Sequence, residues 1–141
     1  AWLEGRPGNE ILVNVFREGS LDTAMPLNAE VAGAIALGHT GKKTLYWIDQ
    51  GEMFQPILFV LTGMGNLYQV DLEVPDDFSV MPSDEPAVEI LIWPAMGLDD
   101  SSSVAFVVSI NDNGDIREVY HLSKRWKGAD LNYVWERLEE Y

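Results

Sequence analysis

Residues 104–122 read VAFVVSINDNGDIREVYHL, two β-prone segments joined by a turn sequence. The first, Val104 to Ile110, is rich in β-branched and aromatic residues, which favour strands. The second, Ile116 to Leu122, has side chains that alternate with the period of two expected of a strand. The dipeptide Asn113-Gly114 between them is the strongest short signal for a hairpin turn. These residues therefore predict an antiparallel β-hairpin.

A second hairpin is predicted earlier in the chain. Ile57 to Leu61 is apolar on both faces, as a central strand would be. Leu67 to Val74 alternates between apolar and polar residues, which is typical of a half-buried antiparallel strand. Residues 62–66 between them contain two glycines and suit a short connection. Three further strands are predicted, at Ile11 to Arg17, Thr44 to Ile48 and Val88 to Trp93.

The last residues of the chain predict a helix. Five apolar residues recur at the i, i+3, i+4, i+7 spacing of one helical face: Leu131, Val134, Trp135, Leu138 and Tyr141. Asp130 stands at the N-cap position, where its carboxylate can accept hydrogen bonds from the first amides of a helix. We expect this helix to pack on one face of the sheet.

The segment Met25–His39 has two interpretations, a helix or a strand. Pro26 near the first turn and Gly38 near the end favour a helix, as do the alanines of the segment. Alternation of larger residues with alanine is typical of a strand instead, and Gly33 costs about 1 kcal/mol in a helix interior. The sequence favours the helix and leaves both interpretations open.

Together these elements predict a single α+β domain over residues 1–141. Six to eight mostly antiparallel strands would form a strongly twisted or barrel-like sheet, with the C-terminal helix packed on it. A chain of 141 residues has the usual size of one domain and buries roughly two-thirds of its unfolded surface. Its hydrophobic content of 47% argues against disorder.

Charge is distributed unevenly along the chain. Residues 44–116 contain no Lys, Arg or His, and thirteen of them are Asp or Glu. The flanks hold the other ten acids against all nine basic residues, so the net charge of −14 lies almost entirely in this central part. We name residues 44–116 the cation-free segment. A field of one sign attracts partners of the opposite charge.

The composition excludes several classes of function. The absence of Cys removes disulfides, thiolate metal sites and thiol nucleophiles. An acidic chain is ill suited to bind nucleic-acid backbone or anionic membranes directly, because both interactions depend on Lys and Arg. No apolar run approaches the roughly 20 residues that span a bilayer, and residues 1–6 lack the order of a signal peptide. We therefore expect a cytoplasmic protein.

Few residues indicate catalysis or the binding of a metal or cofactor. Either of the two histidines, His39 and His121, would form an acid–base pair beside a carboxylate, but lone histidines are more often structural. Gly33–Thr40 has the glycine spacing of a phosphate-binding loop, yet His39 occupies the position of the essential Lys. Residues 111–115 carry oxygens of the kind that Ca²⁺ takes, although the hairpin turn explains the same residues. We assign no catalytic residue, metal site or cofactor, and the sequence weighs against an enzyme without excluding one.

The sequence fits best a non-enzymatic, acidic protein-binding module of an adaptor, inhibitor, immunity or chaperone kind. This module would engage a basic partner through the cation-free segment. Association would be steered electrostatically and then anchored by an apolar residue. The residues predicted to contact the partner are Asp76, Asp77, Phe78, Asp84, Glu85, Trp93, Asp99 and Asp100.

Alternatives from other classes remain. One is the binding of a small apolar ligand inside the barrel. A less favoured one is a hydrolase-type enzyme that uses a His–carboxylate pair. The charge has a second explanation, which is solubility at high salt. An exposed edge strand would also permit a homodimer.

Overall fold

Antiparallel β-pairing organises the protein in the computed structural model. The structure describes residues 2–6, 10–17, 20–26, 30–33, 44–48, 57–72, 78–95, 102–128 and 130–140. These contain a helical turn at 30–33 and eleven strands: β1 (Trp2–Arg6), β2 (Glu10–Arg17), β3 (Ser20–Pro26), β4 (Thr44–Ile48), β5 (Ile57–Leu61), β6 (Leu67–Asp71), β7 (Phe78–Val80), β8 (Glu89–Pro94), β9 (Ser103–Ile110), β10 (Ile116–Lys127) and β11 (Asp130–Glu140). No helix in these ranges is long and apolar enough to cross a membrane.

The strands form three sheets in which successive strands are neighbours. β1, β2 and β3 make a three-stranded sheet. A four-stranded sheet has the order β4-β5-β6-β7, and a second has the order β11-β10-β9-β8. Every pairing is antiparallel. We name the two larger sheets the β4–β7 sheet and the β8–β11 sheet.

Both faces of the β4–β7 sheet are covered, which accounts for the apolar character of β5. All five residues of β5 are buried, so the predicted central strand is confirmed. Alternate side chains enter two clusters. One cluster joins this sheet to the β8–β11 sheet and includes Phe59, Ile90 and Val107. The other joins it to the helical turn and includes Val60 and Val31. Each fully buried side chain of this kind contributes about 1.5–3 kcal/mol.

Both predicted hairpins are present. In the β5–β6 turn, the amide of Thr62 donates to the carbonyl of Asn66 at 2.9 Å. In the β9–β10 turn, the amide of Asn111 donates to the carbonyl of Asp115 at 3.0 Å. The side-chain Oδ1 of Asn111 also accepts the amides of Asn113 and Asp115. This oxygen is therefore occupied by hydrogen bonds within the turn, in agreement with the hairpin interpretation.

The other strand predictions agree with the structure to within a few residues. Those at Ile11 to Arg17, Thr44 to Ile48 and Val88 to Trp93 correspond to β2, β4 and β8, with limits that differ by at most one residue. β6 ends at Asp71 rather than at Val74, because Leu72 lies in a turn. Within Met25–His39, the first two residues end β3 and residues 30–33 are helical. Residues 27–29 and 34–39 lie outside the described part of the chain.

The predicted C-terminal helix is wrong, because residues 130–140 form strand β11. β11 is antiparallel to β10 and pairs with it at ten positions. The chain reverses at Gly128, whose φ of +65° lies in the left-handed region that glycine adopts without strain. The turn at this glycine directs the last residues back along β10.

Two periodicities compete in these last residues. Tyr133 and Trp135 point inwards and pack against the core between the sheets. Val134 and Leu138, which the helical spacing places on the buried face, are 41% and 45% exposed. The period of two prevails because β10 supplies a hydrogen-bonded neighbour, and because aromatic and β-branched residues suit a sheet.

The predicted fold class is corrected as well. In place of an α+β domain with one twisted or barrel-like sheet, the described residues form three separate sheets, of which the two larger ones stack. Both larger sheets are open, with β4 and β7 as the edges of one and β8 and β11 as the edges of the other. Apolar side chains from both sheets fill the space between them. A ligand site inside a barrel therefore has no structural basis in the described residues.

Two glycines share a backbone conformation but differ in how closely other atoms approach them. Substitutions at these two positions therefore distinguish the cost of backbone strain from the cost of overpacking. Gly65 and Gly114 have φ values of +85° and +84°. A Cβ on Gly65 would lie 2.4 Å from the Cβ of Pro86, whereas nothing lies within 4 Å of one on Gly114. We expect Gly114→Ala to lower the free energy of unfolding by about 1–2 kcal/mol through backbone strain. Gly65→Ala should lower it by a further ~1–3 kcal/mol through overpacking. Urea unfolding measures both losses, and equal losses would contradict the close approach.

Candidate functional site

Polar side chains are buried between the two larger sheets, on the side formed by β6, β7, β10 and β11. Gln69, Asp71 and Glu118 are 0%, 1% and 1% exposed. β6 alternates as predicted, but its polar residues face the β8–β11 sheet rather than solvent. A buried polar group is costly unless it is hydrogen-bonded, so these residues need partners between the sheets. We name this set of contacts the inter-sheet polar network.

The carboxylate of Glu118 accepts three hydrogen bonds. Its Oε1 accepts the hydroxyl of Ser83, and its Oε2 accepts the hydroxyl of Tyr120 at 2.7 Å and Nη1 of Arg137 at 3.2 Å. Ser83 lies between β7 and β8, Tyr120 lies on β10 with Glu118, and Arg137 lies on β11. The carboxylate, itself on β10, therefore links β10 to the β7–β8 connection and to β11 through hydrogen bonds.

These contacts set the protonation states of the network. Burial alone would raise the pKa of Glu118, but the hydrogen bonds from Ser83, Tyr120 and Arg137 outweigh it, so this pKa lies below its ordinary value. Burial and the hydrogen bond to Glu118 raise the pKa of Tyr120. The hydrogen bond to Glu118 also raises the pKa of Arg137. At neutral pH the network holds a carboxylate, a neutral phenol and a guanidinium.

A second buried carboxylate, Asp71, has the same kinds of neighbour. The hydroxyl of Tyr133 on β11 donates to its Oδ2, and Nζ of Lys124 on β10 lies 3.8 Å from the same oxygen. Burial, followed by the hydrogen bond to Asp71, raises the pKa of Tyr133. Each buried carboxylate is thus joined to one tyrosine and one cation of the β8–β11 sheet.

A chain of hydrogen bonds links Trp135 to the β4–β7 sheet. The indole Nε1 of Trp135 donates to Oγ of Ser79 at 2.9 Å, and this hydroxyl donates to Oε1 of Gln69 at 2.7 Å. The rings of Trp135 and Tyr120 meet edge to face, with centroids 5.8 Å apart. These contacts fix the orientation of the indole ring.

A cleft of about 350 Å³ opens beside the polar network. Trp135 and Arg137 of β11, Tyr120 of β10, and Pro82 and Asp84 of the β7–β8 connection line it. The cleft therefore lies between an edge strand of one sheet and the chain that leaves an edge strand of the other. Its volume is at the lower end of the ~300–1,000 Å³ range of ligand sites.

Acids outnumber cations in and beside the cleft. Arg137 lies 3.4 Å from Oε2 of Glu140 as well as contacting Glu118. Arg117 lies 3.2 Å from Oε2 of Glu85, although its Nε–H is not aligned for a hydrogen bond. Against these two arginines stand four acids: Asp84, Glu85, Glu118 and Glu140. The local charge is therefore negative.

The residues predicted to contact a partner fall in different places. Asp84 lines the cleft and Glu85 pairs with Arg117 beside it. Phe78 is half-buried, with its ring centroid 6.0 Å from that of Tyr68. Trp93 is 54% exposed on β8, the edge strand opposite β11. The other four lie outside the described residues: Asp76, Asp77, Asp99 and Asp100.

His121 points away from the polar network. It lies out of phase with the buried Tyr120 and Leu122, as predicted. Its Nε2 lies 2.8 Å from Oγ of Ser103, and its ring packs on Phe106 with centroids 5.1 Å apart. His39 is outside the described residues. Within the described part of the chain, therefore, no histidine lies beside a carboxylate in the cleft, as the enzymatic alternative would require.

Sequence reasoning missed most of the polar network. One signal was present, because the alternation of β10 places Glu118 on the same face as Tyr120 and Leu122. A carboxylate on an apolar face indicates a buried charge that needs partners. Trp135 and Arg137 were hidden by the helical interpretation, since residues two apart lie on different sides of a helix and on the same face of a strand.

Comparison of the chain with protein-family models, with curated proteins and with solved structures gives no match. The class of protein is therefore defined by its architecture, two four-stranded antiparallel sheets that face each other. Because fold alone does not specify function, any function must be argued from the charged and aromatic cleft.

Two groups of the network with shifted pKa values beside the cleft are poorly suited to general acid–base catalysis near neutral pH. A general acid or base needs a pKa near the working pH. The pKa of Glu118 is lowered and its oxygens already accept three hydrogen bonds, whereas the pKa of Tyr120 is raised. Neither group changes protonation near neutral pH. The cleft itself is lined by the rings of Tyr120 and Trp135 beside the carboxylate of Asp84.

Glu118→Gln tests whether the buried carboxylate holds the network together. The amide keeps the shape of the side chain but removes the charge that partners Arg137. We expect a loss of about 2–4 kcal/mol in the free energy of unfolding at neutral pH. Glu140→Gln is the matched control, because Glu140 contacts the same arginine but is exposed; it should cost under about 0.5 kcal/mol.

The loss in Glu118→Gln should depend on pH in one direction. The pKa of Glu118 is lower in the folded protein than in the unfolded chain, so its stabilisation is complete above the unfolded pKa of about 4.3. That stabilisation is lost as the pH falls through the folded pKa. The stability difference between wild type and variant should be constant above about pH 5 and shrink below it. Urea unfolding at a series of pH values measures this difference, and one that widens in acid would contradict the assignment.

Proposed function

We propose that the protein is a non-enzymatic binding module for a basic protein partner, and that the cleft receives a cationic side chain of that partner. The observation that carries the proposal is the lining of the cleft, where the carboxylate of Asp84 accompanies the rings of Tyr120 and Trp135. An ammonium or guanidinium group is attracted both to a carboxylate and to an aromatic face.

Arg137 does not reverse the sign of the cleft. Its guanidinium lies 3.2 Å from Oε2 of Glu118 and 3.4 Å from Oε2 of Glu140. Two carboxylates therefore offset one positive charge. Asp84 adds a further negative charge at an exposed position of the lining. An incoming cation would meet net attraction.

Longer-range attraction to the same partner would come from the surface. Exposed acids of the described part of the cation-free segment are Asp84, Glu85, Glu89, Asp112 and Asp115. With a net charge of −14, the field steers basic molecules towards the protein and raises their association rate at low salt. Steering of this kind weakens as salt screens the exposed charges.

Among the predicted contact residues, Asp84 lines the cleft and Glu85 follows it in sequence, so these two fit the proposed binding of a cation best. Trp93 is proposed as a separate apolar anchor, since this residue is 54% exposed on the opposite edge strand. Phe78 is a weaker anchor because its ring is half-buried against Tyr68. The four predicted acids outside the described residues stay proposed contacts on the strength of their charge.

Asp84→Lys tests the cleft with hexalysine as the probe. Reversing the charge should weaken hexalysine binding about tenfold at 50 mM salt, which corresponds to the loss of one good ion contact. Asp112→Lys is the matched control, because it makes the same charge change at an exposed turn residue that does not line the cleft. It should change the affinity less than about threefold. Titrations followed by tryptophan fluorescence measure both.

Two results would contradict the proposal. One is the same loss of affinity in Asp84→Lys and Asp112→Lys, which would assign binding to the general field rather than to the cleft. The other is an absence of hexalysine binding to the wild type at low salt. In that second case the charge would serve solubility at high salt instead.

A further inference from the structure

β11 is an edge strand with one neighbour. In the part of the chain that the structure describes, it pairs only with β10. An edge strand of this length, eleven residues, presents a row of backbone donors and acceptors on its outer side. Proteins protect such edges with charged side chains, especially Lys, with Pro or with β-bulges. β11 contains neither Lys nor Pro, and the irregularity in its pairing lies near its end. Among the described strands, residues 130–137 of β11 therefore have no neighbour on the side away from β10.

The regular part of this edge coincides with the cleft. The pairing of β10 with β11 shifts in register between Val119 and Tyr120, opposite Leu138, which leaves residues 130–137 as the uninterrupted stretch. Within that stretch, Trp135 and Arg137 line the cleft, and Val134 is exposed. A strand laid beside β11 would place alternate side chains at the cleft and at the opposite face, because successive residues point to opposite sides.

The charge of β11 indicates whether a second copy of the chain or a basic partner is better suited to pair with its edge. β11 carries four acids, Asp130, Glu136, Glu139 and Glu140, against the single Arg137. Two such strands side by side would bring like charges together, which is unfavourable. An extended segment that carries Lys or Arg would meet the opposite charge instead. The edge is therefore suited to a basic strand and unsuited to self-pairing.

We propose that the basic partner binds as an extended strand added to the edge of β11, with its Lys or Arg side chains directed into the cleft and apolar side chains beside Val134. The inference rests on the proposed function, since it assigns the mode by which the basic partner is held. Main-chain hydrogen bonds would give affinity and the alternating pockets would give sequence preference. The preferred ligand is thus an alternating basic and apolar sequence rather than a block of charge.

The test uses peptides that differ only in their backbone amides. The probe is an eight-residue peptide of alternating Lys and Val, with two derivatives that are N-methylated at all Lys or at all Val positions. In a strand, alternate amides point to the same side, so one derivative loses every hydrogen bond that it donates to β11 and the other loses none. We expect one derivative to bind at least about tenfold more weakly than the parent and the other to bind within about threefold.

A second measurement locates the contact on the protein. Amide hydrogen exchange of the wild type, with and without the unmethylated peptide, should show slowed exchange in β11. The amides of β8, the other edge strand of the same sheet, provide the internal control and should exchange unchanged. Protection of β11 without peptide, together with a dimer in sedimentation, would assign the edge to a second copy and overturn the proposal.

The outcomes separate this inference from the function on which it rests. Equal affinities for the two methylated peptides would overturn strand addition, while binding of the parent peptide that is weakened by Asp84→Lys would leave the basic-partner site standing. Failure of both the parent peptide and hexalysine to bind at low salt would overturn the proposed function. Weaker binding of only one methylated derivative, with slowed amide exchange confined to β11, supports both the strand addition and the proposed function.

Discussion

A carboxylate buried between two sheets constrains the structure around it. Glu118 is 1% exposed, and an ion removed from water costs several kcal/mol unless donors replace its hydration. Two of its three donors come from distant parts of the chain, Ser83 at 35 positions before it and Arg137 at 19 positions after it. Satisfying one charge therefore places the β7–β8 connection near β11. The walls of the cleft follow from the same requirement.

Sequence patterns of neighbouring residues predict the strands and their turns better than they predict how the sheets pack on each other. Asn113-Gly114 marks its turn because few residues accept φ above zero, and Gly114 adopts φ +84° there. The stacking of the sheets depends on contacts between residues far apart in sequence. Tyr133 reaches Asp71 across 62 positions, and Trp135 reaches Ser79 across 56. The alternation of β6 indicates that Gln69 and Asp71 share a face, but it cannot show that a second sheet covers that face.

The C-terminal segment shows why half of the cleft escapes prediction from sequence. Most of its apolar residues fit the helical period, whereas Tyr133 and Trp135 fit the period of a strand, and a neighbouring strand decides between the two. β10 continues to Lys127, five residues past the predicted Leu122, and so supplies that neighbour. Asp84 and Glu85 are found from charge alone, which requires no secondary structure. Trp135 and Arg137 become part of a site only once β11 is a strand.

The separation of charge along the sequence is partly undone in the fold. Arg117 reaches back to Glu85 and Lys124 reaches back to Asp71, so cations from the C-terminal flank meet acids of the cation-free segment. These two contacts differ in solvent access, since the side chain of Asp71 is 2% exposed and that of Glu85 is 59% exposed. Salt screens exposed charges strongly and buried pairs much less. Among the described residues, the buried acids Asp71 and Glu118 thus join the sheets through contacts that salt weakens little, whereas the attraction of exposed acids for a cation depends on salt. Salt can therefore weaken the attraction between the exposed acids and a cation while it leaves the buried contacts between the sheets largely intact.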